Sequence, residues 1–222
     1  MSQQQTLMAR DGHTFNAYFA DPPSRPRGAV VIVQEIFGLT NFVRHTADSY
    51  AADGYVAIAP ALFDRVQRNV ELGYSGAEAE RGMGYRLQIP VATALLDVAA
   101  AATVVRHAGR VAVVGFCWGG TIAWAAASNM TISAAVCYYG ARLLEQSPKT
   151  PSCPTQLHFG EQDASIPASE VQQLRDAYPA GEIYLYPAGH AFANNDRPDK
   201  YNAEAAALAR TRTNKFLQQH IG

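Results

Sequence analysis

Short runs of β-branched and other apolar residues alternate along the chain with longer stretches of helical period. The runs are GAVVIVQ (28–34), YVAIAP (55–60), RVAVVGF (110–116), ISAAVCYYG (132–140), TQLHFG (155–160) and EIYLYP (182–187). They read as strands apolar on both faces, and the segments between them are long enough to be crossover helices. Helices are expected over 41–53, 77–87, 91–107, 121–128, 168–178 and 199–219, with Pro90 dividing the second from the third because a proline ends or kinks a helix. TLMARDGHTFNAYFAD (6–21) alternates polar with apolar positions instead, which predicts an antiparallel edge. The fold class that follows is α/β, a doubly wound, mostly parallel sheet with helices on both faces.

At 222 residues and 48% hydrophobic composition the chain suits one domain spanning 1–222, able to bury a core without disulfides or metals. DPPSRPRG (21–28) reads as a loop rather than a linker. Eighteen basic against nineteen acidic residues leave a net charge of -1, with no Lys/Arg run to track phosphates or an anionic membrane, so neither nucleic acid nor a membrane is an expected partner. The N-terminus lacks the basic-then-apolar layout of a signal peptide, and no stretch is read as long and unbroken enough to cross a bilayer; a cytoplasmic protein is expected. Three cysteines, at 117, 137 and 153, are odd in number and lack paired spacing, which predicts reduced thiols and no metal cage.

GFCWGG (115–120) follows a strand and precedes the small-residue helix TIAWAAAS (121–128), the context of a G-x-nucleophile-x-G elbow. Gly115 and Gly119 would let strand and helix backbones approach around a sharp turn, leaving the side chain of Cys117 at the carboxyl edge of the sheet, where α/β folds bind ligands. A thiol at a helix N-terminus is expected to have a lowered pKa and to be nucleophilic. Cys137, inside AAVCYY, and Cys153, between prolines, read as packing residues.

A nucleophile on such a turn takes its partners in the order nucleophile, acid, histidine, each on a loop after a later strand. TQLHFG is followed by EQDASIP, offering Asp163 with Glu161 as its rival, and EIYLYP is followed by AGHAFAN, offering His190. Asp163 is preferred because DASIP runs into a helix opening at Pro167. His13, His45, His107, His158 and His220 lie in the edge region, inside elements or at the terminus and read as structural or solvated.

QEIFG (34–38), GFCWGG, YYG (138–140), GEQDASIP (160–167) and GHAF (189–192) together resemble the dienelactone hydrolase (carboxymethylenebutenolidase) family of the α/β-hydrolase fold, over nearly the whole chain. The resemblance implies a Cys117–Asp163–His190 triad, and assigns Glu35 as a carboxylate beside the thiol that influences its ionisation. Elbow geometry gives an oxyanion hole from the backbone N–H groups of Ile36 and Trp118. The reaction implied is hydrolysis of a lactone or ester through a thioester acyl-enzyme, with no cofactor and no metal, by a monomer or small homo-oligomer.

Dienelactone carries a carboxylate, which family members hold with two arginines. RGMGYRL (81–87) matches the first position, giving Arg81 and Tyr85, although Arg81 reads equally well as a solvated helix charge. The second position is Asn194, which supplies no charge; either Arg197 substitutes for it or the substrate is a neutral or differently shaped ester. Phe37, Tyr138, Tyr139, Tyr85 and Phe192 are candidate pocket walls. Two other readings stay open: a ligand-binding or thiol redox-sensing protein that kept the fold, and a serine-type esterase in which the cysteine is incidental.

Overall fold

The alternation near the N-terminus becomes two antiparallel strands, β1 (Ser2–Met8) and β2 (Thr14–Ala20), with Ser2 opposite Ala20 and Met8 opposite Thr14. The structure is a computed structural model describing residues 2–222, and it divides into two units, one ending at Val111 and one beginning at Ala112.

In the first unit β3 (Gly28–Val33) leads through the loop 34–40 into α1 (Asn41–Ala52), which returns the chain to β4 (Tyr55–Pro60). β3 and β4 are parallel, as a helical crossover requires, and β2 lies antiparallel on the other side of β4, giving the order β1-β2-β4-β3. Both β3 and β4 are buried along their whole length, which is why they carry no polar alternation. A 3-10 turn at Leu62–Arg65 follows, and then α2 (Gly76–Leu87) and α3 (Val91–Val105). α2 opens on a capping box: Ser75 Oγ accepts the Glu78 N–H at 3.4 Å, and the Glu78 carboxylate accepts the Ser75 hydroxyl at 3.0 Å.

The α3 region corrects one expectation. By length and composition alone the stretch Val91–Ala108 is sufficient to cross a membrane, contrary to the reading of the sequence. Its alanine-rich composition carries two charged residues, Asp97 and Arg106; Asp97 is buried, with its carboxylate accepting from Arg65 Nη2 at 2.7 Å and Nε at 2.8 Å. Ala94, Val98, Ala101, Ala102 and Val105 are buried with it, and the helix packs on β3 and β4.

In the second unit four parallel strands run in the order β5-β6-β7-β8: β5 (Val111–Phe116), β6 (Ala134–Tyr138), β7 (Thr155–Gly160) and β8 (Glu182–Tyr186). Between them lie α4 (Trp118–Asn129), the one-turn α5 (Leu143–Gln146) and α6 (Ala168–Ala177), and α7 (Ala203–Ile221) closes the chain. β5, β6 and β7 are buried throughout, whereas β8 is half exposed with Leu185 at 40%: it ends the row of strands, so the expectation of two covered faces fails there. α4 starts before the expected 121, because the turn at Cys117 itself caps it. α7 starts after the expected 199, because residues 197–201 are closed into a turn by Lys200 N–H and Tyr201 N–H donating to the Arg197 carbonyl, and Asn202 is the cap.

Candidate active site

Cys117 stands between β5 and α4 with φ 54° and ψ -117°, a backbone conformation that a side chain adopts only when its surroundings impose it. Those surroundings are two close approaches. A Cβ on Gly115 would lie 1.8 Å from the Gly119 carbonyl oxygen, and one on Gly120 would lie 2.6 Å from the Tyr138 carbonyl oxygen, so strand and helix meet at a distance only glycine permits. The Cys117 N–H donates to the Tyr138 carbonyl at 3.0 Å, and its own carbonyl accepts the Gly120 N–H at 2.9 Å. The turn is thereby fixed from both sides, and Cys117 is left partly exposed.

His190 Nε2 is 3.2 Å from the Cys117 Sγ, and His190 Nδ1 is 2.6 Å from Asp163 Oδ2. The Asp163 side chain is fully buried, while that of His190 is 23% exposed. Asp163 Oδ1 accepts the Ser165 N–H at 2.8 Å and the Asp163 carbonyl accepts the Ile166 N–H at 3.2 Å, which hold the carboxylate in a turn just before α6. Its rival Glu161 is exposed. Burial opposes the imidazolium, but hydrogen bonds to Asp163 and to Cys117, with the charges of both, push His190 up to about 10.

The loops that present these groups are strained and laced together. Among the described residues the non-glycine positive φ values fall at Asn69, Cys117, Tyr139, Arg142 and Ala191. Tyr139 (φ 38°) and Ala191 (φ 63°) flank His190: the Tyr139 ring lies 5.1 Å from the imidazole, and Ala191 follows it in the chain. Phe192 is wholly buried and packs on Tyr139 at 5.4 Å and on Tyr186 at 5.1 Å, so it supports the loop from below. Asn202, which the sequence reading passed over, caps α7 and donates its backbone N–H to the Phe192 carbonyl at 3.0 Å and its side-chain Nδ2–H to the Pro187 carbonyl at 3.4 Å.

Other predicted residues fall elsewhere. Tyr138 turns toward α7, where its hydroxyl meets Thr213 Oγ1 at 2.7 Å, and the neighbouring Tyr139 takes the place beside His190. Asn194 is fully buried; its Oδ1 accepts the Asp196 N–H at 3.0 Å, so it builds the loop. Arg197 Nη2 lies 3.8 Å from Asp199. Trp118 opens α4 and is buried.

Within the first unit Glu35, Ile36 and Phe37 are buried in the loop after β3. Gln34 shapes this loop, accepting the Leu62 N–H at 3.1 Å and donating to the Glu35 carbonyl at 3.3 Å. α2 approaches through Gly82, where a Cβ would lie 1.9 Å from the Ile36 carbonyl oxygen. Phe37 packs edge-on against Tyr74 at 4.7 Å and Tyr85 against Phe63 at 5.5 Å, and the Arg81 guanidinium sits 6.0 Å from the Tyr85 ring. Among the described residues no group of three or more His, Cys, Asp or Glu side chains is placed to hold a metal ion, and burial pushes the thiols of Cys137 and Cys153 up, keeping them protonated.

The model of the dienelactone hydrolase family matches residues 15–221. A carboxymethylenebutenolidase of Pseudomonas putida is 34% identical, covering 96% of this chain and 94% of its own, and carboxymethylenebutenolidase 1 of Cupriavidus pinatubonensis is 29% identical, covering 98% and 97%. A crystal structure from Klebsiella pneumoniae, provisionally designated a dienelactone hydrolase, superposes with a TM-score of 0.86 at 30% identity over 99% of both chains. The chain belongs to the dienelactone hydrolase family: it is a hydrolase with the α/β-hydrolase fold.

Proposed function

We propose that the protein hydrolyses a lactone or carboxylic ester of a small molecule through a thioester on Cys117. The observation that carries this reading is the unbroken relay Cys117 Sγ, His190, Asp163, at 3.2 Å and 2.6 Å, built on a strained turn. With the Cys117 proton held on His190 Nε2, the thiolate attacks the substrate carbonyl carbon. The oxygen that becomes negative is held by the N–H of Trp118, with that of Ile36 added on the family pattern. The tetrahedral intermediate collapses, breaking the acyl C–O bond, and His190 returns its proton to the leaving oxygen. Water then gives a proton to His190 and attacks the thioester, releasing the acid and restoring the starting Cys117–His190 pair. Asp163 keeps Nδ1 protonated and the ring turned toward sulfur throughout.

Glu35, Arg81, Tyr85 and Phe37 enter the proposal on the family pattern alone. The match across residues 15–221 runs through both units, which supports reading the chain as one domain. The buried, loop-building Asn194 favours a neutral lactone or ester over one that needs a second cationic clamp, since such a clamp contributes roughly 1.5–3 kcal/mol through charge-assisted bonds. The test is a rapid-mixing assay with p-nitrophenyl acetate, followed by comparison of dienelactones with neutral lactones. A nitrophenol burst and turnover that both vanish in Cys117→Ala are expected. Modification of the thiol without turnover would support a thiol sensor instead.

A further inference from the structure

Beneath the relay lies a second buried constellation that the mechanism does not use. His158, on β7, is fully buried; its Nδ1 is 2.7 Å from the Tyr186 hydroxyl, and its Nε2 is 2.9 Å from Gln156 Oε1 and 3.1 Å from Thr213 Oγ1. The direction of each proton follows from Gln156. Its Nε2 donates to Glu182 at 2.9 Å, so its Oε1 is an acceptor, and the facing His158 Nε2 must carry the hydrogen. His158 Nδ1 is then a lone pair, and Tyr186 donates to it. Thr213 in turn donates to Gln156 Oε1 at 3.3 Å, leaving its oxygen to accept from Tyr138.

Tyr186 is where this network meets the relay. Its carbonyl accepts both the Glu161 N–H at 2.8 Å and the Ala188 N–H at 2.7 Å, closing at one atom the turn that leads to Asp163 and the turn that leads to His190. Its ring packs on Phe192, two residues beyond His190. The 2.6 Å Asp163–His190 bond joins the same two loops. We infer that Tyr186, oriented by a neutral His158, is a positioning residue that sets the Asp163–His190 bond. Burial holds His158 down to about 3, so its acceptor persists at every working pH.

This inference rests on the proposed Cys117 chemistry, and the experiment separates the two. Tyr186→Phe removes one oxygen and keeps the ring, whereas Thr213→Val breaks the same network on the α7 side, away from the loops. For Tyr186→Phe the expected result is a fall of about tenfold in kcat for p-nitrophenyl acetate with KM within about twofold. The downfield proton signal of His190 Nδ1–H shifts or is lost. Thr213→Val lowers Tm but keeps kcat and that signal. Equal losses of kcat in both variants, or an unchanged Tyr186→Phe, overturn the inference while leaving the thioester reading standing; turnover surviving in Cys117→Ala overturns that reading itself. Nitrogen-15 spectra of the unaltered protein give a further check that needs no variant. A His158 ring protonated at Nε2 is expected, and one protonated at Nδ1 overturns the assignment.

Discussion

The Cys117 Sγ and His190 Nε2 are 3.2 Å apart although 73 residues of chain separate them. The two atoms belong to loops of different construction. One is a strained elbow fixed by glycine contacts, and the other is a loop held by Asn202 and by the packing of Phe192. Their meeting is a product of the strand order, which brings the carboxyl ends of β5, β6, β7 and β8 to one edge.

Asp163→Asn removes the acceptor that keeps His190 protonated at Nδ1. A fall in kcat/KM of about 10⁴-fold is expected, with little change in the circular-dichroism spectrum. The His190 titration followed by proton NMR should drop from about 10 toward its ordinary 6.5. The sign for stability follows from the raised value. Stabilisation by the His190 imidazolium is complete below about pH 6.5 and is lost as pH rises through about 10, so urea midpoints of the unaltered protein and Asp163→Asn converge at alkaline pH.

Glu161→Gln is the matching control. Glu161 is exposed and only its backbone N–H is used, on the Tyr186 carbonyl. Activity within about twofold and stability within about 0.5 kcal/mol are expected. A loss comparable to that of Asp163→Asn would transfer the orienting role to Glu161.

Gly115→Ala places a methyl group 1.8 Å from the Gly119 carbonyl oxygen, a backbone atom that cannot swing aside. Strand and helix must part at the elbow, which costs about 1–3 kcal/mol or more and displaces Cys117. Thermal denaturation should show the lowered Tm, and iodoacetamide labelling of Cys117 should slow.

Asp97→Ala in the first unit leaves the Arg65 guanidinium, whose side chain is only 10% exposed, without its buried partner. A loss of about 1–3 kcal/mol in chemical denaturation is expected, because the largely buried Arg65 then keeps only the partly exposed Asp11, at 2.9 Å. Replacing both residues with apolar ones should restore part of that loss.

Much of this was legible in the chain. Covered parallel strands have no polar alternation, so β3 to β7 announce themselves as apolar runs, and the chain order of elbow, acid loop and histidine loop singles out Cys117, Asp163 and His190. What stayed hidden depends on direction rather than composition. Tyr138 and Tyr139 are indistinguishable as letters, yet the positive φ at Tyr139 breaks the strand period and swaps which ring faces His190. Asn194 read as a polar group able to meet a ligand, but it is fully buried and its amide oxygen accepts the Asp196 N–H. The apolar run at 91–108 hides a buried ion pair whose second member, Arg65, lies far away in sequence. His158 read as a structural residue, and the direction of its hydrogen bonds emerges only once β8 and α7 are placed beside it.

The most direct test of the central claim is intact-protein mass spectrometry after rapid acid quenching of a reaction with p-nitrophenyl acetate. The account predicts one transient acetyl group that maps to Cys117, decays as acetate is released, and is absent in Cys117→Ala. Acetyl that maps to another residue, or turnover at an undiminished rate in Cys117→Ala, would contradict it.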